Sequence, residues 1–81
     1  MELKVISPET EEKFEIAWIE VNTHAGNIII LPDHAPMAAT LTKDQELTFC
    51  LTNGKQETIK PEGGTIEVKR KSVTLLLITS P

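Results

Sequence analysis

The chain has 81 residues, 40% of them hydrophobic and 25% charged, with a formal net charge of −4. That length holds one domain, 1–81, which buries only ~60–65% of the surface of the unfolded chain, and the composition is too apolar for disorder. A single cysteine, Cys50, excludes an internal disulfide and a thiolate metal cluster, and six glutamates against two lysines in the first twenty residues argue against a nucleic-acid-binding surface.

Met1 to Val5 has neither the basic start nor the long apolar core of a signal peptide, and no run reaches the ~18 apolar residues of a membrane-spanning helix. A soluble chain in a reducing compartment is expected. Leu3 and Val5 alternate with Glu2 and Lys4, which predicts a short strand with one buried face, broken by Ser7-Pro8-Glu9-Thr10. Phe14, Ile16 and Trp18 then share a face, but beyond Trp18 the inward positions pass to Ile19 and Val21. Such a phase flip predicts a bulge or the junction of two strands. Thr23 to Asn27 reads as a polar loop.

The run Ile28-Ile29-Ile30-Leu31 cannot alternate, which predicts a central strand covered on both faces. Pro32 ends it, and Pro36 restrains Ala35, so Asp33 and His34 stand on a short, stiff loop. Met37 to Leu41 is too short for an uncapped helix and is expected to be a strand or an irregular crossing. Thr42-Lys43-Asp44-Gln45 is a turn. Leu47, Phe49 and Leu51 alternate with Thr48, Cys50 and Thr52, and Asn53-Gly54 predicts a two-residue type I′ hairpin. Gln56 to Lys60, with Ile59 its only large apolar residue, is expected at a sheet edge.

Pro61-Glu62-Gly63-Gly64 reads as a turn, Ile66 and Val68 alternate with Thr65, Glu67 and Lys69, and Lys69-Arg70-Lys71 falls where another, solvated turn is expected. Val73 to Ile78 is a second apolar run expected to be buried on both faces. Turn signals about every eight to twelve residues, frequent β-branched residues and no helical periodicity predict an antiparallel β-sandwich or barrel.

Little in the chain points to chemistry. His24, Asp33 and His34 are metal-ligating residue types, but they are spread over two loops with no third histidine, and no metal is expected. Cys50, on a strand between Thr48 and Thr52, reads as a packing residue rather than a nucleophile. Gly63-Gly64 lacks the lysine and helix of a phosphate loop, and the carboxylates form no pair at a spacing that suggests acid–base work. Trp18 reads as core. A small β module without an active site or cofactor is the expectation.

Two segments carry a resemblance. Gly26-Asn27-Ile28-Ile29-Ile30-Leu31-Pro32-Asp33-His34-Ala35-Pro36 resembles the hallmark segment of the epsilon subunit of F-type ATP synthases, and Gly63-Gly64-Thr65-Ile66-Glu67-Val68 with Val73-Thr74-Leu75-Leu76 resembles its second hallmark. Val5-Ile6-Ser7-Pro8-Glu9 is similar to the family's first strand and turn. The resemblance implies the N-terminal fold of epsilon, an all-β flattened antiparallel sandwich or barrel of about ten short strands. It also implies a non-catalytic subunit of the central stalk, coupling the gamma subunit to the membrane c-ring during proton-driven ATP synthesis. The complex would sit at the cytoplasmic face of the inner membrane, and the chain would meet the membrane only through it.

By the same resemblance Gly26, Asn27, Ile28, Asp33, His34, Lys43 and Asp44 would contact the c-ring, and Ser7, His34, Phe49 and Leu51 would contact gamma. Asn27 stands where the family usually has an acid, and Ile29 where it usually has a glycine. The sequence stops at Thr79-Ser80-Pro81, where the family usually continues into a C-terminal helical hairpin. Inhibition and nucleotide binding belong to that hairpin and are not expected of these residues. The alternative is a free-standing protein-binding module derived from the same sandwich. A third reading, a metal-dependent enzyme using His24, Asp33 and His34, has only those three residues behind it.

Overall fold

The computed structural model describes residues 1–23 and 26–79. Eight strands follow one another: β1 (Glu2–Ile6), β2 (Glu11–Thr23), β3 (Gly26–Ile30), β4 (Met37–Thr42), β5 (Leu47–Leu51), β6 (Gln56–Ile59), β7 (Gly63–Val68) and β8 (Ser72–Leu77). Among the described residues no helix is long and apolar enough to cross a membrane.

The fold turns on β2, whose 13 residues belong to two layers. Its first half pairs antiparallel with β1, from Ile6 opposite Glu11 to Glu2 opposite Glu15. Its second half lies between β3 and β5, with Ile19 opposite both Ile30 and Phe49. One layer therefore runs β4-β7-β8-β1-β2 and the other β3-β2-β5-β6. Neighbours are antiparallel except β1 and β8, which run parallel.

The predicted phase flip is a bulge at Ala17, where the register with β5 shifts between Ile16 and Trp18. Because of that extra residue Ile16, Ile19 and Val21 all point inward, at 1%, 0% and 4% exposure, although strict alternation would turn one group outward. Trp18, beside the bulge, is only half-buried. Leu3 and Val5, Ile66 and Val68, and Val73, Leu75 and Leu77 complete the core from the other layer.

Besides Trp18, expected in the core, and the strand number, eight where about ten were expected, four expectations change. The run Ile28 to Leu31 is neither central nor covered on both faces: among the described residues β3 pairs with β2 alone and stands at a layer's edge. Ile30 is fully buried, but Ile29 and Leu31 are each 54% exposed. In β8 the run alternates likewise, with Leu75 buried and Leu76 and Ile78 outside. The reason is common to both: a two-layer sandwich gives each sheet one inner face, and doubly buried runs need a third layer.

The third concerns the hairpin between β5 and β6. The N–H of Gly54 donates to the Leu51 carbonyl at 2.9 Å, and the Leu51 N–H donates to the Lys55 carbonyl at 2.8 Å. Gly54 has φ +94° while Asn53 keeps negative φ, so the loop is Thr52-Asn53-Gly54 with a glycine bulge, not a type I′ turn. The fourth is Gly63-Gly64, which opens β7 instead of forming a turn, with Gly64 opposite both Leu41 and Leu77. The edge assignment of Gln56 to Lys60 holds for the residues in β6, which ends its layer.

Candidate functional site

The residues singled out above fall at two opposite ends of the sandwich. At one end the Asn22 N–H donates to the Glu46 carbonyl at 3.1 Å, which brings the β4–β5 turn beside the start of β3. Within that turn the Thr42 N–H donates to Gln45 Oε1 at 2.8 Å and the Gln45 N–H returns to the Thr42 carbonyl at 3.0 Å. Lys43 and Asp44 are thereby held out at the tip, both exposed. Gly26 opens β3 at φ +131°, and Asn27 donates through Nδ2 to Asn22 Oδ1. Ile28, half-buried, lines a crevice of about 30 Å³ with Val21, Ile30, Leu41 and Gln45. Gly26, Asn27, Ile28, Lys43 and Asp44 thus make one polar end over an apolar floor.

Asp33 and His34 lie at the other end, separated from Gly26 by the five residues of β3, which span ~16 Å at ~3.3 Å per residue. Asp33 takes φ +68°, a left-handed conformation that aspartate tolerates better than most side chains. Its N–H donates to the Arg70 carbonyl at 2.8 Å, and its carboxylate sits 3.2 Å from Lys71 Nζ. The His34 N–H closes a turn on the Leu31 carbonyl at 3.1 Å, and with its Nδ1 protonated the ring donates to the Ala35 carbonyl at 2.7 Å. The Lys69-Arg70-Lys71 turn is therefore less free than expected, being stitched to this loop. The structure does not bring Gly26 to Ile28 together with Asp33 and His34, because a whole strand separates them. His24 lies outside the described residues.

On the expected gamma side, Ser7 is 7% exposed and its hydroxyl is 2.6 Å from that of Thr10, while its N–H donates to the Thr10 carbonyl at 2.9 Å. Its task is to hold the β1–β2 turn. Phe49 is 2% exposed, its ring 5.1 Å from that of Phe14, so it offers a partner no surface. Leu51 is half-buried. Phe49→Ala is expected to cost about 3–5 kcal/mol of stability, by lost burial and the cavity left behind. Chemical denaturation would read this as a lower midpoint; an unchanged midpoint with weakened partner binding would instead make Phe49 a contact residue.

Sequence reasoning missed the outward apolar residues. Ile6 and Leu76 are adjacent in the β1–β8 register, both on the outer face of their layer, with Ile78 two residues further on. Ile29 on β3 and Leu31 just beyond its end are also exposed. Apolar residues at the solvent phase of a strand are the signal that could have found them, and such patches mark contact faces.

Residues 1–79 match the family described as the ATP synthase delta/epsilon chain β-sandwich domain. The ATP synthase epsilon chain of Psychrobacter arcticus is 38% identical over 66 residues, which cover 82% of this chain and 47% of that protein. The ATP synthase epsilon chain of Desulfitobacterium hafniense is 35% identical over 79 residues, covering 96% of this chain and 58% of that one. The chain thus spans about half the length of the curated relatives it matches. In structure it is similar to a chain in the Euglena gracilis mitochondrial ATP synthase assembly of OSCP, F1 and c-ring. The TM-score is 0.78 and the identity 20%, over 94% of this chain and 49% of that one.

Proposed function

Because this chain belongs to the delta/epsilon β-sandwich family of ATP synthases, we propose that it is a non-catalytic epsilon component of a central stalk, joining the gamma subunit to the c-ring during proton-driven ATP synthesis. The observation that carries this reading is the family match over residues 1–79. The geometry supports it in two ways. Polar loops at one end, Gly26 to Ile28 and Lys43 with Asp44, suit contact with a ring of polar loops. His34, Leu51 and the outward apolar residues leave surface for gamma.

A part that transmits torque must resist shear, and two hydrogen-bonded layers joined through one continuous strand meet that need without chemistry. In this reading the chain works at the cytoplasmic face of the inner membrane and reaches the membrane only through the complex. Asp33, bound to the Lys71 turn, serves chiefly to hold His34 in place. The decisive experiment is binding to gamma from the same organism. The isolated chain is expected to retain gamma in a pull-down at micromolar concentration; failure to do so with folded protein would overturn the assignment.

A further inference from the structure

We propose that the open seam between β6 and the first half of β2 receives an arginine side chain from a protein partner. Among the described residues neither strand has a neighbour across this seam, since β6 ends one layer and the first half of β2 ends the other. Between them is a cleft of about 250 Å³, lined by Val5, Glu12, Phe14, Phe49, Glu57 and Ile59 among others. It is smaller than the ~300–1,000 Å³ of a typical small-molecule site, and suits one long side chain.

The placement of the two carboxylates identifies the occupant. Glu12 is opposite buried Val5, and Glu57 opposite buried Phe49, so both take the inward phase of their strands, where an apolar residue would ordinarily close the seam, yet Glu12 stays exposed and Glu57 only half-buried. One comes from each layer. Among the described residues no cation lies within ion-pair distance of Glu12, and Glu57 has only an exposed pair, 3.3 Å from Lys55 Nζ. An exposed pair of this kind competes weakly with an incoming cation.

Half-buried Phe14 lines the cleft with aromatic surface, its ring backed by that of buried Phe49, with centres 5.1 Å apart and planes tilted by 44°. An aliphatic stem packed on half-buried Ile59, a planar cation over the Phe14 ring and a carboxylate from each side are the complement of arginine. Lysine, a compact and strongly hydrated charge, would use the two carboxylates but not the ring face as well. This site is independent of the stalk assignment.

The test is a titration of the isotope-labelled chain with the peptide acetyl-Gly-Arg-Gly-amide, followed by amide NMR. The same peptide with norleucine in place of arginine is the control. Saturable shifts are expected at Glu12, Phe14, Phe49 and Glu57 with arginine and not with norleucine. E12Q/E57Q, nearly isosteric, should keep the native spectrum and bind the arginine peptide at least about tenfold more weakly. An equal response to norleucine, undiminished binding by the double variant, or no saturable shift would each overturn the proposal. In the last case the two glutamates only guard an open sheet edge.

Discussion

Gly64→Ala is expected to leave the chain unfolded, whereas Gly63→Ala one position earlier is expected to be nearly silent. Gly64 has φ +147°, a conformation that L side chains rarely adopt, and it lies in the ladder between β4 and β8. A Cβ there would overlap the carbonyl oxygen of Leu76 and lie 3.0 Å from its carbonyl carbon. Both are main-chain atoms of β8, which is itself paired to β1 and β7, so no rotamer can relieve the overlap. Relief requires breaking the pairing at the end of one layer.

A Cβ on Gly63 would meet Ile78 Cδ1 at 3.0 Å, and that atom is the tip of an exposed, rotatable side chain. The expected costs are more than about 4 kcal/mol for Gly64→Ala and under about 1 kcal/mol for Gly63→Ala. Against a total stability of about 5–15 kcal/mol, with a domain of this size at the lower end, only the first abolishes folding. Circular dichroism and urea unfolding of the two variants would decide it. A folded Gly64→Ala chain with a midpoint near that of Gly63→Ala would refute the steric argument.

Deleting Ala17 is expected to do comparable damage by a different route. The bulge lets the first half of β2 present Phe14 and Ile16 inward and the second half present Ile19 and Val21 to the same core. Without the extra residue one half must slip by a position. If the second half slips, Ile19 and Val21 turn to solvent, and Glu20 and Asn22 turn into the core. Two large apolar side chains then lose about 1.5–3 kcal/mol each, and a buried glutamate without a partner adds more. The sum approaches the whole stability of the domain. Loss of cooperative unfolding is the expected readout. Ala17→Gly, which keeps the residue count and removes only an exposed methyl group, should by contrast remain folded and tolerate about 1 kcal/mol at most. If the deletion unfolded cooperatively with a wild-type midpoint, the bulge would not be what aligns the two layers.

The bulge was legible because it is written as a break in alternation, which is a local, period-two signal. The edge position of β6 was legible for a similar reason, since a strand with one large apolar residue cannot sit in the middle of a layer. The double burial of Ile28 to Leu31 was misread because hydrophobicity reports that a residue can be buried, not that a layer exists to bury it. The contact residues were harder still. Ser7 and Phe49 match a surface role only until burial is known, and Asp33 with His34 share a sequence motif with Gly26 to Ile28 but not an end of the molecule.

By itself the sequence determined an all-β domain, most of the turns that punctuate it and its family resemblance. These follow from alternation, turn chemistry and residue type, all of which act over a few neighbouring residues. Only the tertiary structure decided which apolar residues face water, that Gly64 is required by a main-chain contact with Leu76, and that the polar loops divide between opposite ends. Each depends on which strands become neighbours. That pairing brings together residues as far apart as Glu2 and Ser72, and local sequence carries no direct record of it.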